Sequence, residues 1–139
     1  MSQPFPRMPR MTTIAFVDET TAGDRGDVRH LEIFEERLPL REIIRRRIFQ
    51  EVAEHNAKNS TGFTGLVQPG EVEAALNGKR NTSHRVEPQR QFELAVEAFG
   101  RNGFLVLVDD RQVEGLDEPV QLTEGTEVTF LKLVPLVGG

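Results

Sequence analysis

The spacing of apolar residues changes repeatedly along this chain, and each change predicts an element. From Thr12 to Thr20 the period is two, with Ile14 and Phe16 on one face and Ala15 and Val17 on the other, which predicts a strand. Residues 21–27 bring glycine and aspartate together, a turn composition. A second extended run from Val28 to Arg37 sets Leu31 and Ile33 against Glu32 and Phe34, so the two runs are expected to pair as a hairpin. Leu38 to Leu40 closes it, and Pro39 suits the first helical turn, where a missing N–H costs nothing. From Leu40 to about Lys58 the period becomes helical. Leu40, Ile43, Ile44, Ile48 and Val52 line one stripe, while Arg41, Arg45, Arg46, Glu51 and Glu54 point elsewhere. The Arg45 to Arg47 run reads as a solvated helix face ahead of a dock for an acidic partner.

From Asn56 to Pro88 the pattern weakens. Asn59 to Gly62 breaks the helix, Phe63 to Val67 is a short apolar patch, and Pro69 to Gly78 reads as a short helix ended by Asn77 and Gly78. Residues 78–88 hold one apolar residue, Val86, and are expected to form a loop. Helical spacing returns at Gln89 to Gly100, with Phe92, Ala95, Val96 and Phe99 on one stripe. Phe104 to Val108 is a continuous apolar run, the pattern of a strand buried on both faces. Asp109 and Asp110 make a turn, residues 111–114 return, and residues 115–119 form a loop. Val120 to Leu122 is a short strand, and Glu124-Gly125 turns into a last strand from Glu127 to Val134. Pro135, Leu136, Val137, Gly138 and Gly139 complete the sequence.

Composition narrows the function classes. The chain has 139 residues, 37% hydrophobic and 28% charged, which fits one folded domain with a single core. A net charge of -5 argues against a general nucleic-acid binder. The longest apolar run is far too short for a bilayer, so no membrane partner is expected. Residues 1–11 are expected to be a flexible leader without a signal-peptide core, which makes the cytoplasm the expected location. There is no cysteine, so disulfides, thiolate metal sites and a cysteine nucleophile within this chain are excluded. His30, His55 and His84 show no metal-ligand spacing.

Strands on both sides of a helical middle predict an α+β fold, a mixed sheet packed on helix. The segment from Val106 to Gly139 resembles the C-terminal half of the MoaD and ThiS sulfur-carrier proteins. In them a strand with a polar turn leads to a glycine-acidic-valine strand, a proline and a terminal Gly-Gly. Here Gly125, Glu127, Val128, Pro135, Gly138 and Gly139 stand at the matching positions. The likeness covers about a quarter of the chain closely, and the rest through element order. It implies a ubiquitin-like β-grasp, spanning 12–134, with a helical and loop insertion at about 56–88 and a Gly-Gly tail at 135–139. The insertion and leader depart from the usual short carrier. They are more easily reconciled with the bacterial ubiquitin-like modifiers that share the fold.

The resemblance implies that this chain is a substrate rather than an enzyme. A ubiquitin-activating-like adenylating enzyme would use MgATP to activate the Gly139 carboxylate, and the chain itself would bind no cofactor. Pro135, Leu136, Val137 and Gly138 would enter that enzyme, where two glycines without Cβ fit a narrow channel. Phe130 and Leu133 are the candidate docking residues. Conjugation to a target protein, with a conjugating enzyme and a deconjugating peptidase as further partners, is favoured slightly over a C-terminal thiocarboxylate. A non-covalent interaction module, with Leu133, Leu136 and Val137 as its patch, is the rival from another class. Carboxylate pairs such as Asp109-Asp110 and Glu35-Glu36 lack a neighbouring nucleophile or histidine that would make an enzyme.

Overall fold

The computed structural model describes residues 11–58, 65–66 and 85–134. Among these residues seven strands and two helices are defined: β1 (Thr12–Thr20), β2 (Arg25–Ile33), β3 (Arg37–Pro39), α1 (Leu40–Lys58), α2 (Pro88–Gly100), β4 (Phe104–Val108), β5 (Arg111–Val113), β6 (Pro119–Gln121) and β7 (Glu127–Lys132). The leader apart from Met11, the short helix expected from Pro69 to Gly78, most of the loop to Pro88 and the Gly-Gly tail lie outside the described residues.

Five strands form one mixed sheet in the order β2-β1-β7-β4-β5, and β3 pairs with β6 in a separate two-stranded ladder. The hairpin expected from the first two runs is present, with Ile14 opposite Leu31 and Phe16 opposite Arg29. The first and last strands run parallel, Phe16 beside Val128 and Asp18 beside Phe130. Antiparallel β4 closes the other side of β7, pairing Val106 with Phe130. The last strand is therefore central in the sheet, between β1 and β4.

Period-two alternation sends Ile14, Phe16, Phe104, Val106, Val128 and Phe130 to one face, where they meet Leu40, Ile43, Ile44, Ile48 and Val52 of α1 in a single core. The ring of Phe130 meets Phe16 edge-on at 5.5 Å and Phe104 at 6.4 Å. In α2 the buried residues are Ala95 and Ala98, with Phe92 and Phe99 packed beside the core. Ala98 takes the place on the stripe that spacing assigned to Val96. Small residues let α2 lie close, and a Cβ at Gly103 would stand 3.1 Å from the Ala98 carbonyl.

Several local expectations are corrected. β4 is buried on one face only: Phe104 and Val106 are buried, whereas Leu105 and Leu107 remain half-buried on the outer face. A continuous apolar run reads as double burial, but Leu105 and Leu107 keep part of their surface in solvent, although Val17 and Thr129 on the same outer face are buried. Pro39 ends β3 opposite Pro119 rather than lying within the helix. Two prolines facing each other cost that short ladder no N–H donors. The first helical amides then find partners in the β5–β6 loop, Leu40 N–H on the Glu118 carbonyl at 3.0 Å and Arg41 N–H on Leu116 at 2.8 Å. Asp109 and Asp110 both take positive φ (46° and 71°), the geometry of a tight two-residue hairpin turn between β4 and β5.

The largest correction concerns charge. Arg47 is only 1% exposed and Glu51 5%, so the arginine run does not form one solvated face. Arg45 lies over the Phe49 ring, Arg46 pairs with Glu35 and Glu42, and Arg47 points into the core. Residues 45 to 47 turn about 100° per step around a helix, so three consecutive arginines must face three directions.

Candidate functional site

The exit from β7 is built by the turn between β1 and β2. Thr20 N–H donates to the Asp24 carbonyl at 2.9 Å, and Gly23 N–H to Thr20 at 3.0 Å. Gly23 has φ +94°, a conformation that side chains other than glycine rarely adopt, and it makes this tight turn possible. The turn holds Thr21 beside the end of β7. Its N–H donates to the Lys132 carbonyl at 3.0 Å, and its Oγ1 accepts the Val134 N–H at 2.8 Å. Val134 lies past the last ladder residue, and the hydroxyl extends the pairing by two residues. Chain direction is thus defined at the residue before Pro135.

At the other end of β7, Thr13 N–H donates to Glu124 Oε1 at 2.9 Å, and Gly125 N–H to the Thr13 carbonyl at 2.9 Å. Gly125 turns the chain with φ +85°. Glu127 N–H donates to Asp109 Oδ1 at 3.1 Å, so one of the two turn aspartates serves as a backbone acceptor. Both ends of the last strand are tied to its neighbours.

Phe130 does not belong to a docking surface. It is fully buried, and its side chain is a keystone of the core. Inner and outer positions alternate along β7, so a strand residue two places from a core residue cannot be assigned to the surface by its position near the tail. Leu133 is 42% exposed and so is Val134. On the outer face Leu131 stands opposite Leu105 of β4, and both are half-buried. Leu105, Leu131 and Leu133 form an apolar track that leads toward the tail. Pro135, Leu136, Val137, Gly138 and Gly139 fall outside the described residues.

Behind the exit, the inner face carries a buried ionic cluster that periodicity places elsewhere. Arg47 donates through Nη1 to Asp18 Oδ1 at 2.5 Å and through Nη2 to Asp18 Oδ2 at 3.0 Å and Glu51 Oε2 at 2.9 Å. Arg29 of β2 adds longer contacts to Glu51 and Glu54 at 3.7 and 3.4 Å. The second oxygen of Glu51 accepts the Leu66 N–H at 3.3 Å. Burial pushes the Arg47 pKa down, but the Glu51 charge and the hydrogen bonds to Asp18 and Glu51 hold it above its ordinary value. Arg47 is therefore a permanent cation beneath the sheet. The sequence signal for it is Asp18, an acidic residue at the position where the inward alternation of Ile14 and Phe16 continues.

A cleft of about 670 Å³ lies between α1 (Phe49, Val52, Asn56) and the segment from Arg85 to Pro88 that leads into α2. It includes none of the exit residues. Among the described residues there is no group of three or more histidine or acidic side chains placed to hold a metal, and no helix long and apolar enough to cross a membrane. Comparison with protein-family models, curated proteins and solved structures gives no match.

Proposed function

We propose that this chain is a ubiquitin-like modifier of β-grasp architecture, activated at the Gly139 carboxylate and conjugated to a target protein. The observation that carries the proposal is the central parallel pairing of β1 with β7, ending in the Thr21 grip on Val134. A last strand at a sheet edge frays, whereas one flanked on both sides is a rigid base from which a short tail is displayed. A β-grasp has this arrangement of a hairpin, a helix and a returning strand between them. The exposed Leu133 and the outer track of Leu105 and Leu131 supply apolar contact beside the tail for the activating enzyme.

In the proposed reaction a Gly139 carboxylate oxygen attacks the α-phosphorus of MgATP on the activating enzyme, and pyrophosphate leaves. The glycine acyl group is then joined to AMP as a mixed anhydride. A target lysine amine attacks the acyl carbon, AMP departs, and an amide forms with loss of a proton. This chain has no cysteine, so any thioester intermediate uses a partner's thiol. Its own residues present and orient the tail; the chemistry belongs to the enzyme.

Incubation with a candidate activating enzyme, MgATP and a lysine-bearing protein, followed by intact mass measurement, tests the proposal. The expected product is a target carrying this chain through Gly139. Gain of sulfur at the terminus would transfer the protein to sulfur carriage. Absence of both ATP consumption and any terminal adduct would leave a non-covalent module.

A further inference from the structure

The guanidinium of Arg47 touches both strands that lead to the exit. It holds Asp18 of β1 by two hydrogen bonds and lies 4.7 Å from the centroid of the Phe130 ring of β7. Asp18 and Phe130 are direct partners in the parallel ladder. Thr21 comes three residues after Asp18 and Val134 four after Phe130, so Arg47 bears on the pair just upstream of the grip. Asp18 is also the residue at which the β1–β2 register shifts, between Val17 and Glu19. The extra residue lies in β2, where Gly26 and Asp27 face Asp18 alone, so the bulge bends β2 beside the turn that carries Thr21.

A buried ion pair is seldom the most stable filling for such a site. Apolar side chains of similar volume often serve as well or better, because desolvating the charges costs so much. Here the cost is visible: Arg47 Nε is buried with no hydrogen-bond partner among the described residues. The pair supplies direction instead, since a bidentate fork on a carboxylate fixes both distance and angle. Leucine at residue 47 would fill the space but would hold neither the angle nor the distance of the Asp18 carboxylate.

We infer that Arg47 is a positioning residue for the C-terminal tail. It locks Asp18 at the bulge against Phe130, and thereby sets the register in which Thr21 meets Val134. Its role in activation rests on the proposed function, whereas the register effect is measurable on the isolated protein.

Native-state amide exchange of Val134 is the direct readout. Arg47→Met alone removes the cation shared by Asp18 and Glu51, leaving Glu51 its longer contact to Arg29, and can unfold the chain, so the informative variants are R47M/D18N/E51Q, which removes all three charges of the cluster together, and Arg47→Lys. Lysine keeps the charge but lacks the fork. In each folded variant, protection at Val134 should fall up to about fivefold relative to core amides such as that of Val106, approaching the value for Thr21→Val. With an activating enzyme in hand, KM for the variants should rise several-fold with little change in kcat. Val134 protection equal to the parent's in the folded variants would overturn the inference, whatever the activity. If the parent is never adenylated but Val134 protection falls as stated, the register role stands and the proposed function fails.

Discussion

Thr21 Oγ1 accepts the Val134 backbone N–H at 2.8 Å across 113 residues of sequence. A turn near the start of the chain thus directs its last described residue. Replacing Thr21 with valine keeps the shape and removes the acceptor, while Thr21 N–H can still reach the Lys132 carbonyl. Because the bond is exposed, the stability cost should stay within ~1 kcal/mol. Amide exchange at Val134 should quicken while core amides keep their rates. Unchanged exchange at Val134 would mean that the hydroxyl does not hold the exit.

Phe130 and Leu133 lie three residues apart and should respond in opposite ways. Truncating Phe130 to alanine leaves a hole among Phe16, Phe104 and Arg47, with an expected loss of ~3–5 kcal/mol. Leu133→Asp changes an exposed side chain, and its stability should stay within ~0.5 kcal/mol of the parent. Binding to an activating enzyme should nevertheless weaken. Urea unfolding and a binding titration on both variants separate the two roles. A Leu133→Asp variant that binds as the parent does would remove the apolar track from the docking argument.

Glu35 makes stability depend on acid. Its carboxyl is held down at about 2, chiefly by hydrogen bonds from Arg46, with burial opposing the shift. A depressed folded-state value means that the unfolded chain takes up the proton first. The contribution is complete above the ordinary value of 4.5 and is lost as pH falls from there through about 2. Both side chains are 26% exposed, so solvent screening limits the effect to ~1 kcal/mol. Glu35→Gln should be less stable than the parent at neutral pH, and the two should converge in strong acid. Unfolding midpoints that differ by the same amount at every pH would contradict this.

Much of the fold is legible in the sequence because local pattern and burial coincide. The stripe of Leu40, Ile43, Ile44, Ile48 and Val52 is the buried face of α1, and Ile14 and Phe16 face the core as alternation requires. The misplacements share a cause. Charge alone assigns Arg47 and Glu51 to the surface, but their pairing partners, Asp18 and Arg29, come from strands distant in sequence. Proximity to the tail suggests a surface role for Phe130, although the inner face of the sheet claims it. Long-range pairing also hides the short β3–β6 ladder, since Pro39 and Pro119 suppress the usual strand pattern on both sides. At the two ends of β7, Gly23 and Gly125 are legible as turn residues, but that the first turn holds the exit of the last strand is not.

Removal of Gly138 and Gly139 separates the proposed chemistry from its main rival. No described core residue lies beyond Phe130 in sequence, and the Thr21 grip is made to Lys132 and Val134. The shortened chain should therefore keep its unfolding midpoint and its Val134 protection. If the carboxylate of Gly139 is the reacting group, ATP-dependent adduct formation should be abolished rather than reduced. The new terminal residue would be Val137, whose branched Cβ crowds the acyl carbon where the glycine had none. Binding through Leu133 and the outer track should persist, because those contacts do not need the glycines. Loss of adduct with retained binding is the result expected of a modifier or carrier. Full function in the shortened chain would instead identify a non-covalent module, and Gly139 would then carry no chemistry.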